Sequence, residues 1–79
     1  MKKVIVFSAT WCTNCNAQKQ KLTQAGIEYE VVDVDKEMQK AREFKVRSLP
    51  TTVIVEGDTI VRQLTGITNT EEVKKLLKD

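Results

Sequence analysis

The chain has no histidine among its 79 residues. Imidazole is the side chain that titrates near neutral pH, so histidine-based acid–base catalysis is excluded, and so are the usual mixed Cys/His zinc sites. Long apolar runs are also missing. The longest, residues 4–7, falls far short of the roughly 20 residues that cross a bilayer, which excludes a membrane span. Charge of one sign is not in excess. The net charge is +2 and the isoelectric point is near 8.6, whereas a nucleic-acid-binding domain usually shows a basic face and a value above about 9. There is no repeat, linker or low-complexity segment. Hydrophobic residues make up 41% and charged residues 30%, which excludes a disordered tail. A chain this short forms one domain, and it buries only about 60% of the surface its unfolded form exposes.

A secretory leader needs an apolar stretch of about 7–15 residues. After Met1, Lys2 and Lys3 the apolar run stops at Ser8. It therefore reads as a strand, and a cytoplasmic location is expected. In that compartment a thiol pair is more often catalytic or metal-binding than a structural staple.

The pattern along the chain predicts seven elements. Residues 3–7 form a β-branched strand buried on both faces. Residues 8–14 form a loop, and residues 13–25 are rich in good helix formers, with Gly26 at the helix end. Residues 28–34 read as a second strand. Residues 36–44 read as a helix with Met38, Ala41 and Phe44 on one face. The segment 47–50 is a break, since proline disfavours helix in the residue before it. Residues 51–55 and 59–64 are strands joined by a turn at Gly57-Asp58, with Ile60 and Arg62 alternating with Val61 and Gln63 in the second. Thr68 and Glu71 stand at capping-box spacing, as do Asn69 and Glu72 on a looser criterion. A last helix follows with Val73, Leu76 and Leu77 as its apolar stripe. The order is β-α-β-α-β-β-α. The first three elements imply a parallel unit and the last two strands an antiparallel hairpin.

Two cysteines, Cys12 and Cys15, fall where the loop turns into the first helix. A helix N-terminus exposes unpaired N–H groups and carries partial positive charge, which favours a thiolate over a thiol. Cys12 is expected near the N-cap and facing solvent, with Cys15 one turn on and facing inward. A spacing of three places both sulfurs on one side of the helix start. Thiol–disulfide exchange needs an exposed attacker and a second thiol that resolves the mixed disulfide. Other readings carry less. A disulfide across four residues closes a loop worth only about 2 kcal/mol. A zinc site needs about four ligands, which two cysteines without histidine do not supply. An inert buried pair does not call for a tryptophan, Trp11, directly before it. Trp11 is read as a substrate contact. The lysines and arginines at 19, 21, 36, 40, 42 and 45 are read as solvated helix faces.

With these residues in place the chain resembles the thioredoxin/glutaredoxin superfamily over nearly its whole length. The first half is similar to a glutaredoxin or an NrdH-type redoxin. Phe7-Ser8 leads to the Cys-x-x-Cys pair, then to Asn16-Ala17-Gln18-Lys19, Leu22 and Gly26-Ile27-Glu28-Tyr29-Glu30-Val31-Val32-Asp33-Val34. The second half is similar to a small thioredoxin. Phe44-Lys45-Val46-Arg47-Ser48-Leu49-Pro50-Thr51 matches the segment that carries that family's cis-proline, and Gly66 matches the glycine flanking its substrate groove.

The resemblance implies an α/β thioredoxin fold, with a four-stranded mixed sheet flanked by three helices in a single domain. It implies that Cys12 attacks and Cys15 resolves, and that Pro50 is cis beside them. Trp11, Leu49, Pro50 and Gly66 would bind substrate. It implies a protein-disulfide oxidoreductase that needs no cofactor or metal and acts as a monomer on disulfide-containing proteins. It would be recharged by a thioredoxin reductase-type flavoenzyme, with ribonucleotide reductase as a client. A glutathione-dependent glutaredoxin and a non-catalytic thioredoxin-fold binding module are the alternatives. The chain departs from the family pattern at several places. Val6 stands where thioredoxins carry a buried acid, and Ser8 where they carry a second tryptophan. Thr13-Asn14 separates the cysteines, and Gly66-Ile67-Thr68-Asn69 replaces a glutathione-binding turn.

Overall fold

The apolar run near the N-terminus becomes one of the two inner strands of a four-stranded sheet. In the computed structural model, which describes residues 1–78, β1 (Lys2–Ser8) pairs parallel to β2 (Glu30–Asp33) and antiparallel to β3 (Thr51–Glu56). β4 (Thr59–Thr65) is antiparallel to β3, and the sheet order is β2-β1-β3-β4. Because side chains alternate along a strand, β1 supplies two cores. Val4 and Val6 pack with Ile54 against Leu22 of α1 (Thr13–Gln24) and Val73 of α3 (Thr70–Lys78). Phe7 packs on the other face with Val32, Val53 and Val55, against Ala41 of α2 (Met38–Glu43) and Phe44 at its end. The Phe7 and Phe44 rings lie 5.2 Å apart at 48°. Two helices thus cover one face and one covers the other. No helix among the described residues is long and apolar enough to cross a membrane.

Helix α1 ends as its glycine requires. Gly26 has φ +74°, its N–H donates to the Thr23 carbonyl, and the Ile27 N–H reaches back to the Leu22 carbonyl at 2.9 Å. Ile27 and Leu22 are both buried in the same core, so the stop and the hydrophobic contact coincide. This turn also explains why β2 starts at Glu30 rather than at 28. Ile27 is still closing the helix, and Tyr29 packs beneath it.

The second helix is shorter than the 36–44 expected. It begins at Met38, its N-cap Glu37 makes no side-chain cap bond, and Met38 is 58% exposed rather than on the buried face. A helix of under two turns brings only its later residues onto the sheet, so Ala41 and Phe44 pack and Met38 does not. Its end repeats the hydrogen-bond pattern of α1, but Lys45 (φ 54°) takes the place of a glycine.

One further expectation needs correction, and the structure decides between the two capping patterns at the last helix. The strand alternation in the hairpin is broken, because Ile54 pairs with Arg62 and Val55 with Ile60. Val61 is therefore an extra residue, a β-bulge. The cap of α3 is Asn69, not Thr68. Asn69 Oδ1 accepts the Glu71 N–H at 2.8 Å, and its carbonyl accepts from Glu72 and Val73. Thr68 is engaged elsewhere, with Gln18.

Candidate active site

β1 ends at Ser8 directly below the start of α1, and Ala9 (3% exposed) and the Thr10-Trp11 turn make the connection. The Cys12 N–H donates to the Ala9 carbonyl at 3.1 Å, which turns Cys12 into the N-cap position. There its φ and ψ are extended (−93°, 105°), as an N-cap requires. The cap acceptor is sulfur. Cys12 Sγ takes the N–H of Cys15 at 3.2 Å. The two cysteines are joined as a disulfide with their Cα atoms 5.3 Å apart.

Cys15 faces inward and is fully buried, as expected. Cys12 is not open to solvent as expected, being only 8% exposed. Its sulfur is turned toward the helix start by the Cys15 bond and N–H, and Val34 and Leu49 pack around the pair. When the disulfide is reduced, a thiolate on Cys12 finds the N–H of Cys15 and the positive end of α1 already aimed at it, a charge-assisted arrangement.

Trp11 stands proud of the surface at 68% exposed, yet it is not loose. Its indole N–H donates to Asp35 Oδ2 at 3.0 Å, and Asp35 is itself held in a tight turn by its N–H to Asp33 Oδ1. Trp11, Cys12, Val34 and Leu49 line an open cavity of about 300 Å³. The Leu49–Pro50 peptide bond is cis. Gly66, at φ +82°, donates its N–H to the Pro50 carbonyl at 2.7 Å. The structure therefore brings Trp11, Cys12 and Leu49 around one cavity, with Cys15 behind and the Pro50–Gly66 contact beside it.

Reading the residues in order overlooked Gln18. It is fully buried, one turn beyond Cys15. The spacing of Cys15, Gln18 and Leu22 was the available signal, since a glutamine at i+3 on an otherwise apolar stripe needs polar partners. Those partners are Thr52 and Thr68. Val6, opposite Thr52 in the β1–β3 ladder, is completely buried. Among the described residues the buried polar ones are Ser8, Gln18, Thr51 and Thr52, and no carboxylate is among them. Among the described residues no three His, Cys, Asp or Glu side chains cluster to hold a metal ion.

The fold and this site define a class: a mixed sheet between helices, with a cysteine-capped helix set against a cis-proline. The sequence profile described as Thioredoxin matches residues 1–79, and the chain belongs to the thioredoxin family. It is 33% identical over 86 residues to thioredoxin H5 of Arabidopsis thaliana, a match covering 98% of this chain and 71% of that protein. It is 39% identical over 62 residues to the chloroplastic thioredoxin-like protein CITRX of Solanum tuberosum, covering 71% of this chain and 35% of that one. The chain thus spans about a third of the length of the first curated relatives it matches. Mitochondrial thioredoxin 3 of Saccharomyces cerevisiae, solved in its oxidised form, superposes with a TM-score of 0.82 at 28% identity, covering 99% of this chain and 78% of that chain.

Proposed function

We propose that this protein is a thiol–disulfide oxidoreductase that reduces protein disulfides through Cys12 and Cys15. The observation that carries the reading is the cap itself: Cys12 Sγ accepts the Cys15 N–H at the positive end of α1 while the second sulfur lies sealed behind it. In the reduced protein the Cys12 thiolate attacks one sulfur of the client disulfide. A mixed disulfide forms and the other client sulfur leaves as a thiolate. The Cys15 thiol passes its proton to that departing thiolate. Among the described residues no buried carboxylate is present to take it. Cys15 then attacks Cys12 Sγ and releases the second client sulfur. Two electrons move from the protein to the client, and the Cys12–Cys15 disulfide remains.

The oxidised protein is recharged by a flavoenzyme of the thioredoxin reductase type. Support for this comes from the thioredoxin family match and from the sequence Gly66-Ile67-Thr68-Asn69, which is not a glutathione-binding turn. We place the protein in the cytoplasm as a monomer, with ribonucleotide reductase among its clients. That client is carried by the likeness of its first half to NrdH-type redoxins. The test is insulin reduction coupled to thioredoxin reductase and NADPH. NADPH oxidation that needs both the chain and insulin is expected. Turnover that appears only with glutathione and its reductase, or not at all, overturns the reading.

A further inference from the structure

We propose that Gln18 is a positioning residue that holds the substrate-binding rim in register with the dithiol; the inference rests on the oxidoreductase reading above. Gln18 has no exposed surface, and its amide is used entirely inside the protein. Nε2 donates to Thr68 Oγ1 at 2.7 Å and to Thr52 Oγ1 at 3.4 Å, and Oε1 accepts the Thr68 N–H at 2.9 Å. These anchors belong to three segments: helix α1, the start of β3 after Pro50 and the turn after Gly66. Helix α1 carries both sulfurs. Thr52 lies two residues past Pro50, and Thr68 lies two residues past Gly66. Gly66 closes the circuit through its N–H to the Pro50 carbonyl at 2.7 Å.

The same stripe of α1 is otherwise apolar, and a leucine at position 18 would bury without needing a partner. Apolar contact is non-directional, however, and leaves the rim free to slide over the helix. A hydrogen bond fixes distance and direction together, and a buried network with every group satisfied specifies one arrangement. The glutamine therefore ties the position of Leu49, Pro50 and Gly66 to that of Cys12 and Cys15. A protein client must lie along this rim while its sulfur meets Cys12. A small disulfide needs only the sulfur. Gln18 consequently acts on docking and not on the exchange step.

The two kinds of substrate separate these effects. The full chain is reduced with dithiothreitol, and its kinetics are followed with insulin and with a small aromatic disulfide. Wild type, Thr68→Val, Thr68→Ser and Gln18→Leu are compared. For Thr68→Val and Gln18→Leu the KM for insulin is expected to rise about fivefold, with kcat and the aromatic-disulfide rate changed less than about twofold. Thr68→Ser keeps the hydroxyl and keeps the wild-type KM. The double variant should be no worse than Gln18→Leu alone, because the leucine already removes the one bond that the valine removes. Thr68 is half-buried and keeps its N–H bond to Gln18 in the valine variant, so the test survives if Gln18→Leu does not fold. An unchanged insulin KM in folded Thr68→Val, or equal slowing with both substrates, overturns the proposal. A wild-type chain inactive toward both substrates instead overturns the oxidoreductase reading and this inference with it.

Discussion

Two helices in this protein begin by handing a backbone N–H to the side chain of the residue before them, and they use different atoms. In α3 the acceptor is Asn69 Oδ1, at 2.8 Å from the Glu71 nitrogen, and Glu71 and Glu72 add negative charge in the first turn. In α1 the acceptor is Cys12 Sγ, at 3.2 Å from the Cys15 nitrogen, and the first turn holds no acidic residue. The end of α3 is satisfied permanently by a good cap and by carboxylates that suit the helix dipole. The end of α1 is left electrostatically open, and the group that caps it is a sulfur whose charge depends on its oxidation state. One device serves stability at one end of the molecule and chemistry at the other.

The contrast is broken most severely by Cys12→Ser. Serine is a better cap than cysteine, so this variant should melt no lower than the reduced wild type while insulin turnover disappears. A large fall in melting temperature with the activity would mean that the sulfur's role is structural. The converse change is Asn69→Ala. It should cost about 1 kcal/mol, read as a melting shift of about 4–8 °C in a domain this size, with insulin turnover per folded molecule unaltered. The smallest effect is expected from Asn14→Asp, which gives the first turn of α1 the acidic residue that α3 already has. A carboxylate there competes with the Cys12 thiolate for the same positive end. The midpoint of Cys12 alkylation should move to higher pH, and below that midpoint alkylation should slow about two- to fivefold, the equivalent of 0.3–1 kcal/mol of dipole interaction. An unchanged alkylation profile would show that the helix end does not tune this sulfur.

The same comparison shows what could be read from the sequence. The order of elements and the Cys12–Cys15 pair were legible because they rest on local signals: a β-branched run, a helix-forming stretch, and Gly26 where a left-handed residue is required. Asn69 and Thr68 were not separable, since two overlapping capping patterns lie one residue apart. The choice is made by Gln18, which is 50 positions away from Thr68 and claims both its hydroxyl and its N–H. The start of α2 was not legible because Glu37 makes no side-chain cap bond and only Ala41 and Phe44 reach the sheet. The shielding of Cys12 depends on Val34 and Leu49, which only the folded chain brings to it. At Thr68 and Cys12 a tertiary partner decided the role of a residue whose neighbours in sequence were uninformative.

The covalent link between the two sulfurs spans positions three apart in the chain. It therefore encloses almost nothing, and opening it releases little chain entropy. The long-range ties of the architecture include the sheet ladders and the amide of Gln18, and none of these runs through either sulfur. On the proposed reading, joining or parting the two sulfurs breaks none of these ties, so a redox cycle calls for no refolding.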